Sequence, residues 1–206
     1  MGNNKKNNGD TLIEVLFAIT VFALVVVGAI SIMNQASATA QRALEITLVR
    51  HQIDAQAEAL RFLNSSYVAA FRSGASNYHN SLGSDTPADE WLKIDKNITS
   101  ASSFSNNCPV AGAYPPGSFI LNTHKGLYGG TLSPAITFSQ VGYNAGDNVS
   151  GAFGIWIEPV IKKTTTYANQ KNADYIDFHI RACWDSPTQN VPLSIGTIVR
   201  LYEPSS

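Results

Sequence analysis

Apolar residues fill the chain from Leu12 to Ile32 almost without interruption. This apolar segment has 21 residues, and a helix of that length matches the roughly 30 Å hydrocarbon core of a bilayer. Thr20 and Ser31 are among its few polar positions, and Glu14 is its only charged residue. The pattern therefore predicts a helix that can span a membrane.

The predicted helix continues beyond the apolar segment. Residues 10–72 contain no proline and a single glycine, Gly28, so no helix-breaking residue marks the end of the apolar run. Apolar side chains then recur at steps of three and four, with Gln56 in the one polar place. This stripe consists of Ile46, Val49, Ile53, Leu60, Leu63, Tyr67 and Ala70. We predict one helix from Thr11 to about Arg72, whose stripe packs on the rest of the chain; a coiled coil is the alternative.

Three apolar runs in the last third of the chain are separated by polar turns and predict strands. In the middle run, from Ile176 to Trp184, every second residue is apolar, which is typical of a half-buried strand. The runs are GAFGIWIEPVI (151–161), DYIDFHIRACW (174–184) and LSIGTIVRLYE (193–203). The predicted fold class is therefore α+β, with a long N-terminal helix packed against an antiparallel three-stranded meander.

The region from residue 73 to 151 contains clusters of Gly, Ser, Asn and Pro. These clusters predict loops, a short helix near Pro87 to Ile94, and one or two short strands. Asn144, Asp147 and Asn148 resemble part of a calcium loop, but their spacing lacks the full ligand set. We therefore predict a turn there.

Charge and motif content exclude several functions. The 14 basic and 15 acidic residues almost cancel and form no basic stripe, so a charge-driven nucleic-acid partner is not predicted. The motifs G-x-S-x-G, G-x-G-x-x-G and H-E-x-x-H and the P-loop are absent from the sequence. The Cys and His spacings match no metal site. We predict no enzyme activity, no cofactor and no metal.

The carboxylate of Glu14 needs an explanation because it lies inside an apolar helix. Thr11 and Glu14 have the T-x-x-E spacing of a capping box, in which each side chain satisfies a backbone N–H of the first turn. A carboxylate there also suits the helix dipole. Capping does not account for the neighbouring residues: a leader with Lys5 and Lys6, then Gly9, then the run DTLIEVL.

These residues, KKNNG followed by DTLIEVLFAITVFALVVVGA, resemble the start of type IV pilin-like precursors, over residues 5–34. The resemblance implies cleavage by a prepilin peptidase between Gly9 and Asp10, with methylation of the new N-terminus at Asp10. The family usually has Phe or Met where Asp10 stands. The resemblance also implies that Glu14 contacts the N-terminal amine of a neighbouring subunit during filament assembly, the alternative being a cap only.

The function implied by this resemblance is structural. The chain would be a subunit of a type IV pilus-like filament, with other pilin subunits, the membrane assembly machinery and the lipid bilayer as partners. The family's major subunits usually carry a proline in the second half of the span, and this chain has none. The resemblance therefore favours a minor pilin or pseudopilin, which would support adhesion, motility, DNA uptake or secretion.

The positive residues of the leader predict the topology. Lys5 and Lys6 precede the apolar segment, so the leader is expected to stay in the cytoplasm and the chain after Asn34 to lie outside, single-pass in the cytoplasmic membrane and at the cell surface after assembly. The predicted divisions are a leader (1–9), a transmembrane and assembly half-helix (10–34), an amphipathic spine (35–72) and a head (73–206) with a loop-rich part (73–151) and strands (152–203).

The expected oxidation state of the two cysteines depends on the compartment. In the cytosol Cys108 and Cys183 would be buried thiols, whereas an exported head favours a disulfide. The strand alternation places Cys183 on the sheet face away from the helix, where Cys108 could reach it.

Two other interpretations of the apolar segment remain. The run ASATAQ offers a signal-peptidase site after Ala40, which would release a secreted protein. Alternatively, an uncleaved anchor would carry a cell-surface binding module that never assembles, with Thr11 and Glu14 acting only as a helix cap.

Overall fold

A computed structural model describes residues 10–72, 86–98, 108–109, 113–162, 175–186 and 191–204, without the side chains of residues 10, 11, 161 and 162. The chain divides into two compact units between Leu44 and Glu45. Helix α1 spans Asp10–Arg72, as the uninterrupted pattern predicts. The second unit contains the last part of α1, from Glu45, and all the other elements.

The helical stripe forms one side of the core of the second unit. Five of its predicted apolar members are buried, and the other two, Ile46 and Ala70, pack against the core while partly exposed. The buried five are Val49, Ile53, Leu60, Leu63 and Tyr67. Arg61 and Glu58, on the opposite side, form an exposed ion pair of 2.6 Å. The predicted role of the stripe as a packing surface is confirmed.

Helix α2 spans Pro87–Asn97, three residues longer than predicted. It begins with a capping box, because Thr86 accepts from the backbone N–H of Asp89 while the Asp89 carboxylate accepts from that of Thr86. Its Trp91 is fully buried, and the indole meets the ring of Phe178 edge-on at 5.8 Å between centroids. The helix therefore closes one side of the core.

The described strands form three sheets. Strands β1 (Leu121–Asn122) and β2 (Leu127–Tyr128) make a small antiparallel pair. Strands β3 (Leu132–Ser133), β4 (Gln140–Tyr143) and β5 (Val149–Phe153) have the order β3-β5-β4, with β3 parallel to β5. Strands β6 (Ile155–Lys162), β7 (Tyr175–Trp184) and β8 (Leu193–Tyr202) form an antiparallel meander.

The meander and the α+β class are confirmed, and two local predictions are wrong. The region expected to hold one or two strands contains β1 to β4 and the start of β5. The run GAFGIWIEPVI is not one strand, because it breaks at Gly154 between two sheets. Gly154 has a φ of 66°, and a Cβ there would lie 2.4 Å from the carbonyl oxygen of Cys183, so only glycine fits.

Strand β7 is buried differently along its length. Its core-facing residues, from Ile176 to Trp184, are buried as the alternation predicts. At its end the opposite face is covered as well, since Arg181 and Cys183 are also buried. A half-buried strand thus becomes a fully buried one near the cysteine.

Candidate assembly segment and its supporting head

Every residue from Leu12 to Ser37 is exposed in the isolated chain. Its large apolar side chains point to all sides of α1, and Phe17, Phe22 and Leu24 are each at least 70% exposed. By length and composition this helix is apolar enough to cross a membrane. The segment therefore suggests a membrane-anchored, single-pass protein.

Glu14 is exposed on this apolar surface. It is the only acidic or basic residue between Leu12 and Ile32, so any environment that buries the segment must also accommodate a carboxylate. Gly9 and the side chains of Asp10 and Thr11 lie outside the described residues. The cleavage point, the methylation and the capping box with Glu14 therefore stay predictions.

The hydroxyl of Thr20 finds its partners within its own helix. Its Oγ1 donates towards the carbonyl oxygens of Leu16, at 2.9 Å, and Phe17, at 2.8 Å. A hydroxyl bonded in this way is satisfied without water or another chain, so it adds little to the cost of placing the segment in lipid. Glu14 is the only charged group in this segment, so it is the one for which burial is costliest without a partner from outside.

The second unit holds its part of α1 through polar contacts as well as through the core. The Gln56 side chain is fully buried and pairs with the backbone of Leu121, donating to its carbonyl at 2.8 Å and accepting from its N–H at 3.0 Å. The indole N–H of Trp184 donates to Glu45 at 3.1 Å. Gln56 takes the one polar place in the predicted stripe, and its side chain bonds to the β1 backbone as a neighbouring strand would, which the helical period alone does not predict.

A disulfide joins Cys108 to Cys183, with their Cα atoms 5.8 Å apart. It ties the segment before β1 to the end of β7. Nearby, the Tyr114 hydroxyl donates to the carbonyl of Ser133 at 2.7 Å, and its ring meets Trp156 edge-on at 5.4 Å. These contacts explain why the outer face of the sheet is covered at this end.

An ion pair, which sequence patterns did not predict, lies on this covered outer face of the sheet. The Glu158 side chain is fully buried, and its Oε2 lies 3.6 Å from Nη1 of Arg181, whose guanidinium lies 5.3 Å from the Trp156 ring centre. The two sit on neighbouring strands, where cross-strand pairing brings β6 and β7 together. Buried pairs of this kind are mainly structural, because separating them is costly.

Within the described ranges, no group of three or more His, Cys, Asp or Glu could hold a metal ion. Of the histidines, His51 lies on α1, His124 in the turn after β1, and His179 on β7, while His79 lies outside the described residues. Nothing in this arrangement suggests a reaction centre. The candidate functional element is the apolar segment with Glu14.

Residues 4–30 match a family model described as the prokaryotic N-terminal methylation motif. This match covers Gly9, Asp10, Thr11 and Glu14 and most of the apolar segment, and it leaves the head unmatched. No curated protein matches the chain, and no solved structure matches it.

Proposed function

We propose that this chain, whose methylation motif supports a type IV pilin-like family, is a minor subunit of a pilus-like filament. At a coarse level the motif implies processing by a prepilin peptidase and assembly with other pilins. In the full proposal the chain is inserted with its leader inside, cut between Gly9 and Asp10, methylated at Asp10 and assembled through α1. The observation that carries it is an apolar segment exposed on all sides with one carboxylate, most of which lies within the motif.

The exposed apolar surface is evidence that the segment lies first in lipid and then against other apolar helices. Fully burying a side chain such as Leu24 or Phe22 contributes about 1.5–3 kcal/mol, so the segment is stable only in lipid or against other apolar helices. A helix that first lies in the bilayer and then packs among copies of itself meets this need in both states. Contacts of the head-to-tail kind, which do not close into a ring, build such a filament.

Glu14 supports the proposal through the cost of burying its charge. An ionised carboxylate in a packed helical core is strongly unfavourable unless it has an oppositely charged partner. Cleavage after Gly9 would create a positive amine at Asp10, close to Glu14 in sequence and available to a neighbouring subunit. Pairing Glu14 with the amine of the adjacent subunit would fix the axial register between the two helices.

The minor role rests on two sequence features. Residues 10–72 contain no proline, and Asp10 stands where the family usually has Phe or Met. The Asp10 carboxylate competes with Glu14 for the amine, which weakens repeated self-assembly and favours a subunit used in few copies. Such a subunit would prime assembly or occupy a tip, in the service of adhesion, motility, DNA uptake or secretion.

The test compares Glu14→Ala and Glu14→Gln with the native chain in membrane and filament fractions. Glu58→Ala is the matched control, because Glu58 is an exposed carboxylate on the same helix. We expect mature native protein to begin at Asp10 by mass and N-terminal sequencing. Both Glu14 variants should keep normal membrane levels and lose at least about tenfold from filaments, the equivalent of 1.4 kcal/mol, while the control assembles normally.

Each of the other possible results would favour a different interpretation of the apolar segment. Unchanged filament content of the Glu14 variants would leave Glu14 as a helix cap only. A mature chain that begins at Met1 would favour an unassembled anchor with a binding module. A chain that begins at Gln41 would indicate secretion after cleavage at Ala40.

A further inference from the structure

The meander ends at β8, a strand of ten residues that has β7 as its one neighbour in the sheet. On β7 the backbone of Cys183 points towards β6, because its N–H donates to the carbonyl of Gly154 at 2.7 Å. Successive residues of a strand point their backbone groups to opposite sides, so Ala182 and its partner Ile195 bond to one another. By the same alternation, every second residue of β8 directs its N–H and carbonyl away from the sheet. These residues are Ser194, Gly196, Ile198, Arg200 and Tyr202.

The outward backbone groups of these five residues form a free edge, which we call the β8 edge. All five residues are exposed. Among the residues that the structure describes, the carbonyl of Tyr202 alone has a partner there, since it accepts from the side-chain amide of Asn64 at 3.3 Å. A row of N–H and carbonyl groups at strand spacing is complementary to the backbone of another extended chain. The β8 edge is therefore a surface for strand pairing.

The opposite edge of the same sheet is protected, and the β8 edge is not. On β6 the carbonyl and the N–H of Ile157 bond to the backbone of Phe119, at 3.0 and 2.8 Å, and Pro159 has no N–H to offer. Strand β8 pairs with β7 without a bulge and contains no proline or lysine. Its one charge, Arg200, is held by two bonds to Asp177. Prolines, bulges and free charges prevent copies of a protein from joining at their edges, so their absence favours pairing of β8 with a second copy.

The shape of the β8 edge is complementary to itself. A two-fold axis at Thr197 would pair two copies antiparallel, with Gly196 opposite Ile198 of the second copy and Ser194 opposite Arg200. Gly196 has no side chain, and a groove of about 390 Å³ lies over it. The Ile198 side chain is 60% exposed, so each copy can place it in the groove of the other. This register opposes no two like charges.

We propose that two copies of this chain pair through the β8 edge and form one continuous antiparallel sheet, with three strands from each copy. The part of α1 in the second unit runs in the same direction as β8. Its Glu45 bonds to Trp184, beside the start of β8, and its Asn64 bonds to Tyr202 at the end. The two-fold axis reverses this part of α1, so the contact differs from the head-to-tail contacts of the proposed filament.

The test measures the mass of the full chain by sedimentation equilibrium in density-matched detergent micelles. Ile198→Lys places a charge opposite Gly196 and beside Arg181 of the second copy. Ile198→Pro removes an N–H that points away from β7, so it blocks the edge and leaves the bonds within the sheet. Ile136→Lys is the matched control, because Ile136 is 79% exposed and lies outside β8. Near-ultraviolet circular dichroism checks the fold of the second unit, where all three tryptophans are buried.

Cysteine cross-linking tests the register. The two copies of Thr197 face one another at a pair without backbone bonds, where Cα atoms lie about 4.5 Å apart, within the range of a disulfide. Thr197→Cys should therefore form linked dimers on mild oxidation. Ser194→Cys is the matched control, because six residues of strand place Ser194 about 20 Å from its own copy.

We expect the native chain and Ile136→Lys to be dimers at micromolar concentration. Both Ile198 variants should raise the dissociation constant of the dimer at least about tenfold and keep the native circular dichroism. Ile198→Lys decides the result if the proline variant does not fold. None of these measurements requires filaments, so the outcome is independent of the proposed function.

Three results overturn the proposal. A native chain that stays monomeric would leave the β8 edge to a strand of another protein. Dimers of Ile198→Lys as stable as those of the native chain would place the contact elsewhere, for example in the apolar segment. Cross-linking of Ser194→Cys as fast as that of Thr197→Cys would exclude the two-fold axis at Thr197.

Discussion

Two parts of the same helix, α1, differ in what surrounds them. From Leu12 to Ile32 the helix is apolar on every side and exposed, whereas from Glu45 to Arg72 one stripe is buried and the exposed side mixes charged residues with a few apolar ones such as Phe62. Backbone hydrogen bonding is the same in both parts, so local helix propensity does not separate them. The difference shows that the chain itself supplies the packing partner of the second part, while the first part requires one from outside.

The largest expected difference in stability between the two parts of α1 comes from truncating one apolar side chain in each. Leu60 is fully buried in the stripe, so Leu60→Ala should lower the free energy of unfolding of the second unit by about 2–5 kcal/mol. Phe22→Ala, at a position 70% exposed, should change it by less than about 0.5 kcal/mol. Denaturant unfolding of the full chain in detergent, followed by tryptophan signals, measures both. Equal losses would mean that the apolar segment packs on the second unit.

A smaller effect should separate the polar residues of the two parts. Gln56→Leu leaves the N–H and carbonyl of Leu121 without their buried partner, so we expect a loss of about 1–3 kcal/mol. Thr20→Val should be nearly neutral, because the Thr20 hydroxyl bonds only to carbonyls of its own helix.

Gln52→Leu, one turn before Gln56 and only half-buried, serves as the matched control for the first of these changes. The same unfolding measurement applies. A loss for Gln52→Leu as large as for Gln56→Leu would show that the bonds to Leu121 do not stabilise the fold.

The smallest expected effect is a dependence of stability on alkaline pH, which arises from Tyr67 in the packed part of α1. Burial, followed by the carboxylates of Glu203 and Asp95, raises the pKa of Tyr67 above its ordinary value of 10.0. The folded state therefore holds this proton more tightly than the unfolded state. Its contribution to stability is complete below pH 10 and is lost as the pH rises through the higher folded pKa.

Tyr67→Phe should accordingly lose less stability than the native chain between neutral pH and about one unit above pH 10. The measurement is the free energy of unfolding at a series of pH values for both proteins. Parallel curves for the two proteins would show that Tyr67 keeps the same proton affinity in the folded and unfolded states.

The parts of the fold that sequence patterns predicted are those with long, regular periods. The extent of α1, the stripe from Ile46 to Ala70, α2 and the three-stranded meander all follow from apolar side chains at helical or alternating spacing. These signals are strong because many positions follow the same apolar period. They also predicted that the apolar segment and the stripe would have different surroundings.

The errors lie where one residue decides the structure. Strand β1 has only two residues, and its backbone pairs with the side chain of Gln56, which is 65 positions away in sequence. Gly154 ends one strand and begins another because of its φ and the nearby carbonyl of Cys183. No local period contains this information, since it depends on residues brought together only by folding.

The candidate site was predictable to a different degree. Glu14 and the motif around it are read directly from the sequence, and residues 4–30 match the methylation motif. The buried pair of Glu158 with Arg181 was not predicted, since each residue alone looks like a surface charge.

The disulfide from Cys108 to Cys183 has a mechanical consequence. It closes a loop across a sequence separation of 75 residues, which includes β1 to β6 and nearly all of β7. When the chain is pulled from its ends, the disulfide prevents the residues within this loop from extending. At about 3.4 Å per residue, the contour length that cannot extend is about 250 Å. Under tension only the parts of the domain outside this loop can therefore be drawn out, and the loop itself becomes extensible only in a reducing medium.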